Sequence, residues 1–327
     1  MEFLLTALKA AAEPTRLRLL TLCAHGELTV SELTQILGQS QPRVSRHLKL
    51  LCDAGLLDRF REGTWAFYRL AQRGPGSELA RTLVDQVPAD DPELALDLER
   101  LEAIKRSRAE AAAAYFRDNA ARWHEIRSLH VPEHDVEQAL LGLLPPMPVQ
   151  DLLDIGTGTG RMLELFGQRV ARAVGIDSSR EMLAVARANL ERAGLLRNCQ
   201  VRQADMYQLP FAHGSFDVVV VHQVLHYAED PAEAIAEAGR VLRPGGRLLL
   251  VDFARHDLDA LRLEHAHRRL GFENAEIVDW CASAGLIPAA PVDLPGSPLT
   301  VTIWPATRGA AGASIPTSIL SLPGVSQ

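Results

Sequence analysis

Asp154-Ile155-Gly156-Thr157-Gly158-Thr159-Gly160 is the stretch from which the rest of the chain can be read. Before it, Val149-Gln150-Asp151-Leu152-Leu153 reads as a buried strand. After it, Arg161 to Phe166 carries apolar residues at helical spacing. Strand, glycine-rich turn and helix form half of a doubly wound α/β sheet. Such a turn presents bare N–H groups and a helix N-terminus to a ligand. Glycine suits it because the backbone bends tightly and a Cβ would meet the ligand.

Spacing selects the ligand. A dinucleotide fingerprint, G-x-G-x-x-G, would place its last glycine at Arg161. The chain instead reads D-x-G-x-G-x-G. A second acid, Asp177, closes the strand Val174-Gly175-Ile176-Asp177, where it can accept from two ribose hydroxyls. A third, Asp205, follows the strand-like Cys199 to Arg202. The apolar run Phe216 to Val221 comes next, and Leu242-Arg243-Pro244-Gly245-Gly246 then leads into Arg247 to Phe253.

This ordered series, over roughly residues 110–305, resembles the class I S-adenosylmethionine (SAM) methyltransferases. The resemblance implies a Rossmann-like sheet that binds SAM or S-adenosylhomocysteine (SAH). The cofactor-binding residues it implies are Asp154, Gly156, Thr157, Gly158, Gly160, Asp177, Ser178, Met182, Asp205, Met206, His222 and Gln223. Met182 stands either beside an adenine ring or in the core. His222 and Gln223 lie where the Phe216 strand ends, at the edge where α/β sheets bind ligands. His222 is thus the candidate catalytic residue, with a structural histidine as the alternative. Tyr115, Phe116 and Trp123 either cover the pocket or pack in the core.

The N-terminal part is built differently. Two short helices, 3–12 and 14–24, divide at Glu13-Pro14, since proline suits a first helical turn. Thr29 with Glu32 three residues on is a capping box, and Gly38 stops the helix it opens. A second helix follows Ser40, with Val44, Leu48 and Leu51 as its apolar stripe. Leu57 to Arg61 and Thr64 to Leu70 read as a hairpin. Helix, turn, helix and hairpin make a winged helix-turn-helix. The donors placed to meet DNA are Ser40, Gln41, Arg43, Ser45, Arg46, His47 and Lys49 on the second helix and Arg59 and Arg61 on the wing.

Residues 1–75 resemble the arsenic-repressor (ArsR/SmtB) family of bacterial regulators. The stretches that carry this are Glu13 to Leu20, Ser40 to Leu51 with Gly55-Leu56, and Arg61 to Thr64 with Tyr68. The resemblance implies a double-stranded DNA operator and a homodimer. Leu28-Thr29-Val30-Ser31-Glu32-Leu33 lacks the cysteines that metal sensors of that family carry there, so no metal is expected.

The expected fold is α/β: a winged helix-turn-helix over 1–88, a helical linker and pocket-covering helix over 89–130, a methyltransferase sheet over 131–307, and a disordered tail over 308–327. Glu78 to Val87 predicts a helix suited to a dimer, after a break at Gly74-Pro75-Gly76. From Glu93 to about Arg127 the chain lacks Gly and Pro, which predicts long helix with a seam of Leu94, Leu98, Leu101 and Ile104. Leu286 to Leu294 and Leu299 to Thr307 predict a final antiparallel strand pair. A metal set from His256, His265 and His267 is disfavoured because His-x-His on a helix points the rings apart.

Net charge is −7, split as +3 over residues 1–75 and −10 over the rest, so a polyanion would meet the N-terminal part. Four scattered cysteines read as reduced and mostly buried. The acidic start and the absence of any apolar run of about 18 residues predict a cytoplasmic protein without a membrane span. Two functions fit these residues: a transcriptional regulator, a probable repressor, whose methyltransferase domain senses SAM or SAH, and an active small-molecule methyltransferase with its own DNA-binding head.

Overall fold

The computed structural model describes residues 1–62, 64–71, 74–88, 90–120, 132–145 and 148–309. Trp123 and all but the first two residues of the C-terminal tail lie outside them. The chain divides into two compact units, Met1–Ala112 with Asp257–Ala260, and Ala113–His256 with the remainder from Leu261.

The first unit opens with α1 (Glu2–Ala11), α2 (Pro14–Ala24), β1 (Leu28–Thr29), α3 (Val30–Leu37) and α4 (Gln41–Asp53). Then come β2 (Leu57–Glu62), β3 (Trp65–Leu70), α5 (Pro75–Asp85) and α6 (Pro92–Asn119). The capping box is formed: Thr29 Oγ1 accepts the Glu32 N–H, and the Glu32 carboxylate accepts the Thr29 N–H at 2.9 Å. Gly38 ends α3 in the left-handed conformation. Leu33, Ile36, Val44, Leu48 and Leu51 are fully buried with Leu19 and Leu20 of α2. β1 adds a third strand to the hairpin, pairing Leu28 with Tyr68, in the order β1-β3-β2.

Two expectations change here. Gly74-Pro75-Gly76 is a helix start rather than a break, because Gly74 is the N-cap and Pro75 begins α5. Gly76 is needed inside that helix, since a Cβ on it would stand 1.8 Å from the Gly55 carbonyl oxygen. The unit boundary also falls inside α6, not at residue 88. The reason is the predicted seam: Leu94 and Leu101 are buried, and Leu98, Leu101 and Ile104 pack with the winged-helix core. Asp97, wholly buried, accepts from Arg18 Nε at 2.6 Å and Nη2 at 2.8 Å. Arg100 donates to the Ile36 carbonyl at 2.8 Å, and Arg108 pairs with Glu32.

The second unit holds α7 (Glu133–Gly142), β4 (Val149–Ile155), α8 (Arg161–Phe166), β5 (Val170–Asp177), α9 (Arg180–Arg192), β6 (Cys199–Gln203) and β7 (Phe216–His222). A 3-10 turn (Leu225–Tyr227), α10 (Pro231–Val241), β8 (Leu242–Phe253), α11 (Ala260–Glu264) and α12 (Asn274–Ser283) follow. β9 (Leu286–Pro288), β10 (Val292–Leu294) and β11 (Val301–Arg308) complete it. The strand order is β10-β11-β8-β7-β4-β5-β6, with β9 also on β11. Strands β6, β5, β4, β7 and β8 are parallel, and β11 returns antiparallel to β8. The expected strand over 286–294 is two short strands that pair with opposite ends of β11. The central strands are apolar on both faces, as buried parallel strands must be. Among the described residues no helix is long and apolar enough to cross a membrane.

The buried Arg18–Asp97 pair yields a prediction. Removing the guanidinium would leave the Asp97 carboxylate buried without its bidentate partner. Arg18→Ala should lower stability by about 3 kcal/mol in urea unfolding, and a loss below about 1 kcal/mol would show the pair to be peripheral.

Candidate functional site

Register places the ligand edge of the sheet. Ile155 is level with Ile176 on β5 and Val221 on β7, and His222 is level with Val251 on β8. Gly156, just past β4, is therefore level with Asp177 and His222 at the ends of β5 and β7, and Asp252 near the end of β8 lies one residue further along. The chain leaves β4 toward β5 on one side and reaches β7 later on the other, so this is the switch point where such sheets bind ligands.

The glycine turn is tied down by its neighbours. Thr157 donates its N–H to the Ile176 carbonyl at 2.8 Å. Asp177 Oδ2 accepts the Gly158 N–H at 2.9 Å, and Oδ1 accepts the Ser179 N–H at 2.8 Å. A carboxylate has about four acceptor positions, so the backbone donors leave capacity for a ribose hydroxyl. Burial pushes the Asp177 carboxyl above the usual value, and the N–H donors of Ser179, Gly158 and Ser178 pull it back. At Gly156, with φ of +70°, a Cβ would stand 2.4 Å from Val224 Cγ2. The collision that requires glycine there is with Val224 of the same chain, a neighbour that sequence reasoning did not supply.

The remaining cofactor residues sit as follows. Asp154 is buried within β4. Gly160 is the N-cap of α8. Ser178 is exposed and Met182 is buried, its N–H given to Ser179 Oγ. Asp205 is exposed, with Oδ1 accepting the Tyr207 N–H at 3.0 Å, and Met206 packs on the core. His222 is buried at the end of β7. Gln223, the next residue, takes a φ of +50°, which costs a non-glycine residue about 1–2 kcal/mol. Its N–H bonds to the Val251 carbonyl at 2.8 Å, so the chain turns sharply at the strand end and lays Val224 on Gly156.

Sequence reasoning missed the group this turn delivers. His226 is buried, and its Nδ1 lies 2.7 Å from Asp252 Oδ1. Asp252, fully buried at the end of β8, also accepts the His226 N–H at 3.1 Å and the Phe253 N–H at 2.8 Å. The available signal was Asp252 ending a strand, with a histidine just past the neighbouring strand end.

Tyr115 lies near this group, its hydroxyl 2.7 Å from His265 Nδ1, and Phe116 meets the Tyr227 ring at 4.7 Å. His265 and His267 follow α11 rather than lie on it. Ala266 between them has a φ of +55°, and their rings stand 6.4 Å apart instead of diverging. No three His, Cys, Asp or Glu side chains among the described residues are grouped to hold a metal.

In the first unit, Ser40 is the N-cap of α4, and Gln41, Arg43, Arg46 and Lys49 are exposed along the helix with Ser45 half-buried. Lys49 pairs with Asp53 at 2.7 Å. Arg59 and Arg61 are exposed on β2, two residues apart and so on one face of the hairpin. His47 departs from the group. Its Nδ1 turns to within 3.7 Å of Glu13, its side chain is 13% exposed, and burial lowers its pKa.

Residues 13–59 match the family model described as bacterial regulatory protein, arsR family, and residues 153–250 match a methyltransferase domain. A 37.1 kDa protein in transposon TN4556 of Streptomyces fradiae is 38% identical over 132 residues, 39% of this chain and 36% of that one. A phosphatidylethanolamine N-methyltransferase of Cereibacter sphaeroides is 40% identical over 124 residues, 38% of this chain and 60% of that one. The chain thus spans less than two thirds of either relative. The YcgJ protein of Bacillus subtilis overlays with a TM-score of 0.49 at 20% identity, over 54% of this chain and 99% of that structure.

The Gly156–Val224 contact can be tested by itself. Gly156→Ala should cost about 3 kcal/mol in urea unfolding, part overpacking and part left-handed backbone. Adding Val224→Ala should return roughly half of it by relieving the overpacking. If it returns nothing, the clash is not what requires the glycine.

Proposed function

We propose that this chain, an arsR-type segment joined to a methyltransferase domain, is a DNA-binding transcriptional regulator that responds to SAM or SAH. The observation that carries this reading is the two sites in one chain. Gln41, Arg43 and Arg46 stand exposed on the second helix of a helix-turn-helix. The Gly156–Gly160 turn, with Asp177 fastened beneath it, forms a cradle suited to an adenosyl ligand. Asp177 would accept from the ribose, and the ligand would lie against the turn, whose Thr157, Gly158 and Gly160 N–H groups are held by Ile176, Asp177 and Thr157. Ligand affinity differing between DNA-competent and DNA-free states would shift operator binding by about 1–3 kcal/mol.

A homodimer fits a palindromic operator, and α1 offers its surface. Leu4, Leu5 and Leu8 are 42%, 48% and 40% exposed on α1. The α5 helix expected for this role instead turns Leu79, Leu83 and Val84 onto its own core. Leu4→Glu with Leu8→Glu should convert a dimer to a monomer in sedimentation equilibrium; an unchanged mass would remove α1 from the interface.

The regulatory reading is tested by fluorescence anisotropy on the chain's own upstream DNA, at one salt concentration because phosphate contacts make affinity salt-dependent. SAM and SAH should shift that affinity by different amounts. Arg46→Ala should weaken specific binding by about 1–3 kcal/mol. If both ligands bind and neither moves DNA affinity, the domains are uncoupled and the chain acts as a methyltransferase that happens to carry a DNA-binding head.

A further inference from the structure

His226 is constructed as a base and has no assigned work. Asp252 takes the Nδ1 side of the ring at 2.7 Å, and its oxygens also accept the backbone N–H groups of His226 and Phe253. Those donors suit the carboxylate form, which can only accept, so Nδ1 is the donor to Asp252 and the lone pair of a neutral ring falls on Nε2. His226 is 2% exposed, and its Nε2 is buried with no hydrogen-bond partner among the described residues. A buried acceptor without a donor costs about 1–3 kcal/mol and needs a reason.

The ring is also held in orientation. It meets the Tyr227 ring, tilted at 4.1 Å, and the His267 ring, stacked at 4.0 Å, and those two rings are themselves 5.2 Å apart. Its own carbonyl accepts the N–H groups of Arg268 and Arg269, both at 3.0 Å. Two residues earlier, Val224 rests on Gly156 of the cofactor turn, so His226 belongs to the segment that borders that turn. Phe253 lies 5.4 Å from the His226 ring, and a run of ring contacts leads away from Tyr227 through Phe116 and Tyr115 to His265. The Tyr227 hydroxyl is itself held well above the usual tyrosine range by burial, which leaves it a neutral wall and not a competing base.

We propose that His226, positioned by Asp252, is the general base for a methyl acceptor with an aromatic hydroxyl, bound among these rings. The inference rests on residues 153–250 binding a methylsulfonium donor, and concerns the acceptor, which that reading leaves open. In the step, the acceptor hydroxyl gives its proton to Nε2 as its oxygen bonds to the donor's methyl carbon. The carbon–sulfur bond breaks and its electron pair remains on sulfur. The products are an aryl methyl ether, a neutral thioether and an imidazolium facing Asp252. A base is required because a neutral hydroxyl is a weak nucleophile, while aromatic walls favour a planar acceptor by offset or edge-to-face contact.

The test uses the full chain with saturating SAH, which blocks turnover, and 4-nitrophenol as the probe, because its ionised form absorbs in the visible. At a pH below the probe's own pKa, the bound probe should show a phenolate fraction about tenfold above that of free probe, one pKa unit of preference. Equilibrium dialysis gives the bound amount. His226→Gln should bind SAH unchanged and bind the probe as neutral phenol. A bound probe that stays protonated on the wild-type chain overturns the base, as does phenolate that persists in His226→Gln. Failure of the probe to bind overturns the aromatic acceptor.

If His226→Gln does not fold, ¹⁵N-histidine spectra of the wild-type chain decide. The His226 Nε2 signal should move from the unprotonated to the protonated position when the probe is added, and a signal that stays put counts against the proposal. SAH binding is followed by calorimetry on the same samples. Its absence from the wild-type chain would remove the donor site, a failure distinct from an intact donor site beside a probe that never ionises.

Discussion

The ligand edge depends on one constraint, the parallel register that holds β4 between β5 and β7. Because all three strands are buried on both faces, slipping one by a residue would exchange its faces and break the packing on each side. With the register fixed, a glycine, an aspartate and a histidine that are far apart in sequence stand level with one another at the strand ends. Asp252 reaches the same edge because β8 is hydrogen-bonded to β7. None of these side chains sets the sheet; the sheet sets them.

Three carboxylates, Asp97 and Asp252 buried and Asp177 half-buried, show how different donors give similar acids different work. Asp97 takes a guanidinium and docks one helix on another. Asp177 takes backbone N–H groups alone, those of Gly158 and Ser179 among them, and locks a turn. Asp252 takes two backbone N–H groups and an imidazole, so its charge is directed at a ring that can itself gain a proton. Each loses hydration on burial, and each is offset by hydrogen bonds, without which the charge would be untenable. Only the third passes its influence to a group with an unused lone pair.

Most elements were legible because their signals are local. The capping box at Thr29 and Glu32, the left-handed stop at Gly38 and proline at the first turn of α2 depend on residues a few positions apart. The succession of strands along the chain was legible from the glycine turn and the acids spaced after it. What escaped were consequences of distant contact. Gly76 lies within a helix because Gly55 presses against it, and His47 turns inward because Glu13 is close by. The two-residue strand β1 exists only because β3 is there to pair with it. His226 drew no role from the sequence, since its partner is 26 residues away and meets it only when two strand ends align.

The cysteines also describe the chain's temperament. Cys23, Cys199 and Cys281 are buried, and Cys52 is half-buried. Burial pushes Cys52 and Cys199 up to about 11 and Cys281 to about 12, and Cys23 higher still. Thiolate is the form that alkylating agents and oxidants attack. A cysteine placed by substitution on an exposed position of the wing would then outpace all four native sulfurs toward maleimide. The chain is accordingly a ready background for single-site fluorophores or spin labels, and movement of the wing on DNA can be followed without first stripping out its own thiols.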